Sequence, residues 1–212
     1  DSDFLSVKQV LDSGKLGQLI EAHFRFDRYK LTPSLKNAKE TSIPGSGLLY
    51  DLGPHLLDGV ISLFGSPLLW RKNLGHFRPQ TKVDDYANIH LSYPDQLQVF
   101  ITASLLVADE QPAFILHGTK GSYIKQRADV QEQQLIAGMN VNNASFGAEE
   151  AGMEGILTTL SENGSKKSAK IASEKSSYIN LFNQVYKTIR DGKRYPITAA
   201  QIIKQLEILE AH

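Results

Sequence analysis

No cysteine occurs anywhere in the chain, which excludes disulfide staples, thiolate metal sites and a cysteine nucleophile. There is no excess of either charge: 23 Lys and Arg stand against 23 Asp and Glu. Electrostatics therefore give no reason to expect nucleic acid or an anionic membrane as a partner. No apolar run approaches the length of a membrane span. The opening DSDFLSVKQVLDSGKLG lacks the basic start and apolar core of a signal peptide, which fits a cytoplasmic protein. An initiator Met is also missing, and we expect the chain to be part of something longer. Four motifs are lacking too: GxGxxG after a strand, a phosphate loop, a GxSxG elbow and HExxH. The chain by itself thus offers no recognisable cofactor site and no motif for a metal.

What remains is an ordinary globular composition, 41% hydrophobic and 22% charged over 212 residues. Phe4, Leu5, Val7, Val10 and Leu11 recur at helical spacing, and Ser13-Gly14 ends that helix. Ile20, Ala22, Phe24 and Phe26 then alternate with Glu21, His23, Arg25 and Asp27, the period of a strand with one buried face. Residues 28–47 read as a long loop carrying Pro33, Pro44, Gly45 and Gly47. Leu48 to Phe64 is apolar and helical, with Pro54 either at its first position or kinking it.

Beyond Pro67 the period turns to two. LLWRKNLGHF, ANIHLSY, LQVFITASLLV, PAFILHGT and GSYIKQ read as strands, with turns at Pro94-Asp95 and Gly118–Gly121. Short turns between them imply antiparallel neighbours. DVQEQQLIAGM fits a short helix, and GILTTLSENGSKKSAKIAS a hairpin turning at Asn163-Gly164. Ile179, Phe182, Val185, Tyr186 and Ile189 form the apolar face of a helix capped by Ser176 or Ser177 and ended by Asp191-Gly192. Thr198 caps a last helix facing inward through Ile202, Ile203, Leu206 and Leu209.

The sum is an α+β fold, one open, mostly antiparallel sheet with helices packed on one face. Apolar residues occupy both phases of residues 97–107, so both faces are expected to be buried there. The open face is expected to pair with another subunit.

One stretch carries chemistry. In GSGLLYDLGPHLLDG, Asp51 and His55 stand four apart, with Asp58 three further on. Residues at that spacing share a helix face. A carboxylate beside an imidazole fixes its tautomer and favours its charged form, so that it can take a proton from an alcohol or return one to a carbonyl. The same pair reads equally as a polar contact near a helix start, or, with Asp58, as a carboxylate–His–carboxylate metal set. His23, His76, His90 and His117 fall in strand-like segments as surface or hydrogen-bonded residues. Trp70 reads as packing, and Lys36, Lys39, Lys166, Lys167 and Lys170 as solvated lysines.

GSGLLYDLGPHLLDGVISLFG resembles the signature helix of the glucose–fructose oxidoreductase/inositol dehydrogenase (Gfo/Idh/MocA) family. DSDFLSVKQVLDSGKLGQLIEAHFRFDRY and YPITAAQIIKQLEILEA resemble that family's entry helix and strand and its closing helix. The resemblance implies that residues 1–212 are one C-terminal substrate-binding and oligomerisation domain, of the dihydrodipicolinate reductase/glyceraldehyde-3-phosphate dehydrogenase-like kind. The N-terminal Rossmann domain that binds NAD or NADP would lie outside this chain, so no cofactor-binding residue is assigned here and none is expected to bind the fragment.

The implied reaction is hydride transfer between nicotinamide and a sugar, polyol or related hydroxy compound. His55 would move the proton, with Asp51 as its partner, and Arg28, Tyr29 and Asp58 would contact the small-molecule substrate. No metal is implied. The parent would be a homo-oligomer, dimer or tetramer, joined through the open sheet face. Gly45-Ser46-Gly47 departs mildly from the consecutive glycines of many members. A non-catalytic sensor or regulator on the same fold, and a standalone binding module, are the alternatives.

Overall fold

The computed structural model describes residues 1–34 and 40–211; the expectations for Lys36 and Lys39 fall outside them. Helix α1 (Ser2–Asp12) starts where the Asp1 side chain accepts from the Phe4 amide, and it buries Val7 and Val10. Strand β1 (Leu19–Asp27) follows, then the long helix α2 (Leu48–Phe64). Strands β2 (Leu69–Gly75), β3 (Tyr86–Ser92), β4 (Gln98–Ser104), β5 (Phe114–Gly118) and β6 (Gly121–Lys125) come next. After a short helix α3 (Gln131–Ile136), strands β7 (Gly155–Leu160) and β8 (Lys166–Ile171) form the last hairpin. Helices α4 (Tyr178–Asp191) and α5 (Ala199–Glu210) close the chain.

All eight strands join one sheet in the order β2-β3-β4-β1-β5-β6-β7-β8. Every pairing is antiparallel except β1 with β4, which run parallel. The α+β reading with an open, mostly antiparallel sheet is thus borne out. The insertion of β1 between β4 and β5 is new: the β4–β5 connection crosses the end of β1, where Arg28 donates to the Ser104 carbonyl and Val107 to that of Arg28.

The core lies on one face of the sheet. Leu49, Leu52, Leu56, Leu57, Val60 and Ile61 of α2 join Ala22, Phe24, Ile89, Leu91, Val99 and Ile101 in a single buried cluster. Each such side chain contributes roughly 1.5–3 kcal/mol by leaving water. Pro54 lies inside α2, six residues past its start, so of the two expectations the start at Pro54 is overturned. Its missing N–H leaves the Tyr50 carbonyl without its helical donor, which the apolar packing on both sides of the position tolerates. Lys72 donates to the carbonyls of Ile208 and Leu209, a cation capping the C-terminal end of α5.

Packing bears out one expectation in part and corrects three. On β4, Val99, Ile101 and Ala103 face the core, and of the other phase Thr102 and Ser104 are buried as well while Gln98 and Phe100 are half-buried, so burial on both faces holds for the second half of the strand. His76 lies just past β2 rather than in a strand. Helix α4 buries none of its residues: Ser177 caps it and Gly192 ends it as the sequence indicates, yet Phe182, Tyr186 and Ile189 are 66%, 61% and 73% exposed. Of the α5 face only Leu209 is buried, while Ile202, Ile203 and Leu206 stay exposed.

The segment 126–154, the least legible in sequence, is held by a buried ion cluster. The Lys125 ammonium, 0% exposed, lies 2.7 Å from a Glu149 carboxylate oxygen and 3.3 Å from one of Asp3. It also donates to the Met153 carbonyl, and the second Asp3 oxygen accepts from the amides of Ala128 and Asp129. Burial pushes the Glu149 carboxyl up, but hydrogen bonds from Lys125 and Ser173 together with the Lys125 charge hold it below the usual carboxylate range. A lowered folded-state value means that Glu149 contributes stability above the unfolded range and loses it as pH falls through the folded one. Lys125→Met would strand two buried carboxylates, and chemical denaturation is expected to show a loss of about 3–5 kcal/mol. The acid-side fall in stability should also be shallower in that variant than in the wild type.

Candidate active site

The site is built on the first turn of α2. Gly47 turns the chain into the helix at φ 92°, a left-handed region open to glycine. The helix has no capping side chain of its own; residue 84 supplies one from a distance. The Asp84 carboxylate accepts from the Leu49 amide at 2.6 Å, and its backbone carbonyl accepts from Leu48 at 3.0 Å. A Cβ at position 47 would stand 2.0 Å from an Asp84 carboxylate oxygen, so glycine is required by space as well as by backbone angle. Burial pushes the Asp84 carboxyl up, and this prevails over the pull of the Leu49 and Leu48 amides and of nearby His76.

Beside this cap opens a cleft of about 190 Å³, continuous with solvent, lined by Arg28, Lys30, Glu40, Asp51, Arg78 and Asp84 among others. Its far wall is a buried ion frame. The Arg78 guanidinium meets Glu40 with both terminal nitrogens, at 2.8 and 3.2 Å, and Asp85 with Nε at 3.3 Å. Asp85 also accepts from the amides of Phe77 and Arg78, and Glu40 from that of Ser34. This fixes the loop after β1 to the β2–β3 connection. Burial raises the Glu40 carboxyl, while the Ser34 amide, Arg78 and Lys30 outweigh it and bring it below its ordinary range.

The predicted site residues divide. Asp51, in the first turn of α2, and Arg28, at the end of β1, come together in the cleft. His55 stands one turn along α2 from Asp51, on the same side and exposed to solvent, outside the cleft lining. Tyr29 is 61% exposed and bridges to Leu106. Asp58 accepts a 3.0 Å hydrogen bond from Gln205 of α5, tying the two helices together. Among the described residues no three His, Asp or Glu side chains converge as metal ligands would. His23, His90 and His117 each bond a neighbour on the sheet.

Sequence reasoning missed Lys30, Glu40, Arg78, Asp84 and Asp85. The adjacent acids of VDDY ahead of a strand were the available signal. Chemically, the cleft lining combines the cationic groups of Arg28 and Lys30 with the carboxylates of Asp51 and Asp84. Such a lining can hold a neutral, hydroxyl-rich molecule by donating and accepting at once. An imidazole waits at its edge.

An open α+β sheet backed by helices on one face is the architecture that this chain shares with solved oxidoreductases. The chain belongs to the Gfo/Idh/MocA family: the model of the "GFO/IDH/MocA C-terminal domain" matches residues 4–124. It is 33% identical to the uncharacterized oxidoreductase YdgJ of Escherichia coli K12, covering 99% of this chain and 59% of that protein. It is 32% identical to the scyllo-inositol 2-dehydrogenase (NADP(+)) IolW of Bacillus subtilis 168, covering 100% and 58%. The structure of the oxidoreductase yvaA from Bacillus subtilis superposes with a TM-score of 0.92 at 31% identity, over 100% of this chain and 59% of that one. The chain therefore spans about three fifths of the length of the relatives it matches.

Because the cap is borrowed, its removal should be felt in the site. Asp84→Ala is expected to cost about 1 kcal/mol, and Asp84→Asn, which keeps an acceptor for Leu49, less. Gly47→Ala is expected to cost roughly 1–2 kcal/mol from backbone angle alone, and more through the clash with Asp84. Thermal melts of the three variants give the order.

Proposed function

We propose that residues 1–212 form the substrate-binding and oligomerisation domain of a cytoplasmic NAD(P)-dependent oxidoreductase acting on a sugar, polyol or related hydroxy compound. The observation that carries this reading is the placement of Asp51 and His55 one turn apart on α2, with Asp51 in the polar cleft. Family membership and the NADP-dependent inositol dehydrogenase among the relatives support it. The sequence has no dinucleotide fingerprint, so no residue of this chain is assigned to the cofactor, and the nicotinamide is assigned to a preceding Rossmann domain. The fragment alone is then inactive.

In this reading the cofactor supplies and accepts hydride. The chain's own work is to hold the hydroxy compound and to manage one proton. Arg28 and Lys30 donate to substrate oxygens, and Asp51 accepts from a hydroxyl and orients the imidazole. His55 takes the proton from the reacting alcohol, or returns it to the carbonyl. Tyr29 and Asp58 keep their assignment as further substrate contacts, Asp58 through a shift of its bond to Gln205. The solvent exposure of His55 fits a group completed by a domain that closes over it. The bare apolar face of α4 is read the same way. The root of α4 lies beside the start of the chain, since Asp129 accepts from both the Ser2 amide and the Ser176 hydroxyl. The open face of the sheet is assigned to a second subunit.

A non-catalytic sensor on the same fold would have no use for the proton relay. In the full-length protein, His55→Asn is expected to lower kcat by about 10²–10⁴ while leaving NAD(P) binding, read by cofactor fluorescence, unchanged. Full activity in that variant would remove His55 from the chemistry. Cofactor binding without turnover on any polyol, sugar or hydroxy acid would favour the sensor.

A further inference from the structure

The face of the sheet turned away from the helices carries one row of side chains in register across all eight strands. Arg71 on β2 pairs with His90 on β3, His90 with Phe100 on β4, Phe100 with His23 on β1, and His23 with Ile115 on β5. Ile115 pairs in turn with Ile124 on β6, Ile124 with Ile156 on β7, and Ile156 with Lys170 on β8. The row is aromatic in one half and aliphatic in the other, with a cation at each end. In the aromatic half, the Phe100 ring lies between two imidazoles, stacked on His90 at 4.5 Å and 9° and on His23 at 5.0 Å and 19°. A third histidine, His117 on β5, stands opposite Glu21 in the next row.

We propose that the pairing of this face with a second copy of the chain is loosened by protonation of the imidazoles it carries. The proposal rests on the reading that the open face is a subunit interface. Size fits a second copy. Eight strands at about 4.8 Å spacing and five to nine residues at about 3.3 Å each present roughly 700 Å² in projection. A standard interface needs about 800 Å² from each partner. Composition fits as well, because an isologous contact must be self-complementary. The face is a mixture of apolar groups, neutral amides and hydroxyls, and charges of both signs.

Histidine is the side chain that gains charge between about pH 8 and 5. Around the three rings, β1 contributes Glu21, 2.6 Å from His23, and Arg25, paired with Asp27. β2 contributes Arg71 and β3 Tyr86, while β4 and β6 bring no ionic group to this face. Asp95 and Lys120 lie in the turns at the strand ends. His90 bonds the Gln98 amide oxygen and His117 the Ser122 hydroxyl. One carboxylate, Glu21, therefore faces three rings. In a twofold pairing, a protonated ring of this row meets either an isoleucine of the partner's aliphatic half or the partner's own imidazole. The first strips a cation of water and the second sets like charges together, so both oppose association.

Sedimentation of the full-length protein between pH 8 and 5.5 tests this. A dimer dissociation constant weaker by about tenfold or more at pH 5.5 is the expected result. That dependence should flatten in H90Q and in H117Q, two independent substitutions that keep a polar side chain. A dimer or larger assembly whose affinity is the same at both pH values overturns the inference and leaves the interface reading standing. A protein monomeric at every pH and concentration, or an assembly indifferent to Ile115→Arg, overturns the interface reading itself.

Discussion

The packing of α2 against the centre of the sheet is the constraint from which the rest follows. Its buried face meets β1, β3 and β4, which carry the stacked rings on the far side, while the segments that leave β1 and lead into β3 line the cleft. Because α2 lies there, its first turn opens beside the end of β1, and Asp51 is brought to Arg28. Because α2 and α5 occupy one face, the histidine-bearing phase of β1, β3 and β5 is left on the other. Site and open face are two sides of one packing decision.

Much of this was legible in the sequence. The switch from a period of 3.6 to a period of 2 after Pro67, the Asn163-Gly164 turn and the caps at Ser177 and Thr198 all report local preferences, which act within a few residues. The Asp51–His55 spacing is local too. What escaped is long-range. The insertion of β1 between β4 and β5 depends on a crossover that no short window displays. Lys125, in a strand edged with polar residues, reads as solvated until Asp3, 122 positions earlier, and Glu149 are seen against it. The α4 face shows the converse: its apolar pattern is correct, but pattern alone does not say whether the partner belongs to the same domain.

The two ion clusters do different work. Lys125 with Asp3 and Glu149 ties an otherwise irregular segment to the start of α1, far from the cleft. Arg78 with Glu40 and Asp85 stands in the cleft wall and fixes a loop that local preference leaves unspecified. Buried charges of this kind add little net stability compared with apolar packing, but each fits one arrangement of its neighbours. The chain uses them where helices and strands do not set the geometry.

The cap on α2 has a consequence for how the protein comes to exist. Leu49 waits for a carboxylate that lies 35 residues downstream, beyond strand β2. The first turn that carries Asp51 is therefore not completed by its own neighbourhood. It forms when the stretch leading into β3 closes a long loop onto it, a step whose entropic cost grows with loop length. On a growing chain, Asp51 and His55 have left the ribosome well before their helix start can be finished. The polar turn thus gains its capping contact only once the segment leading into β3 has been made.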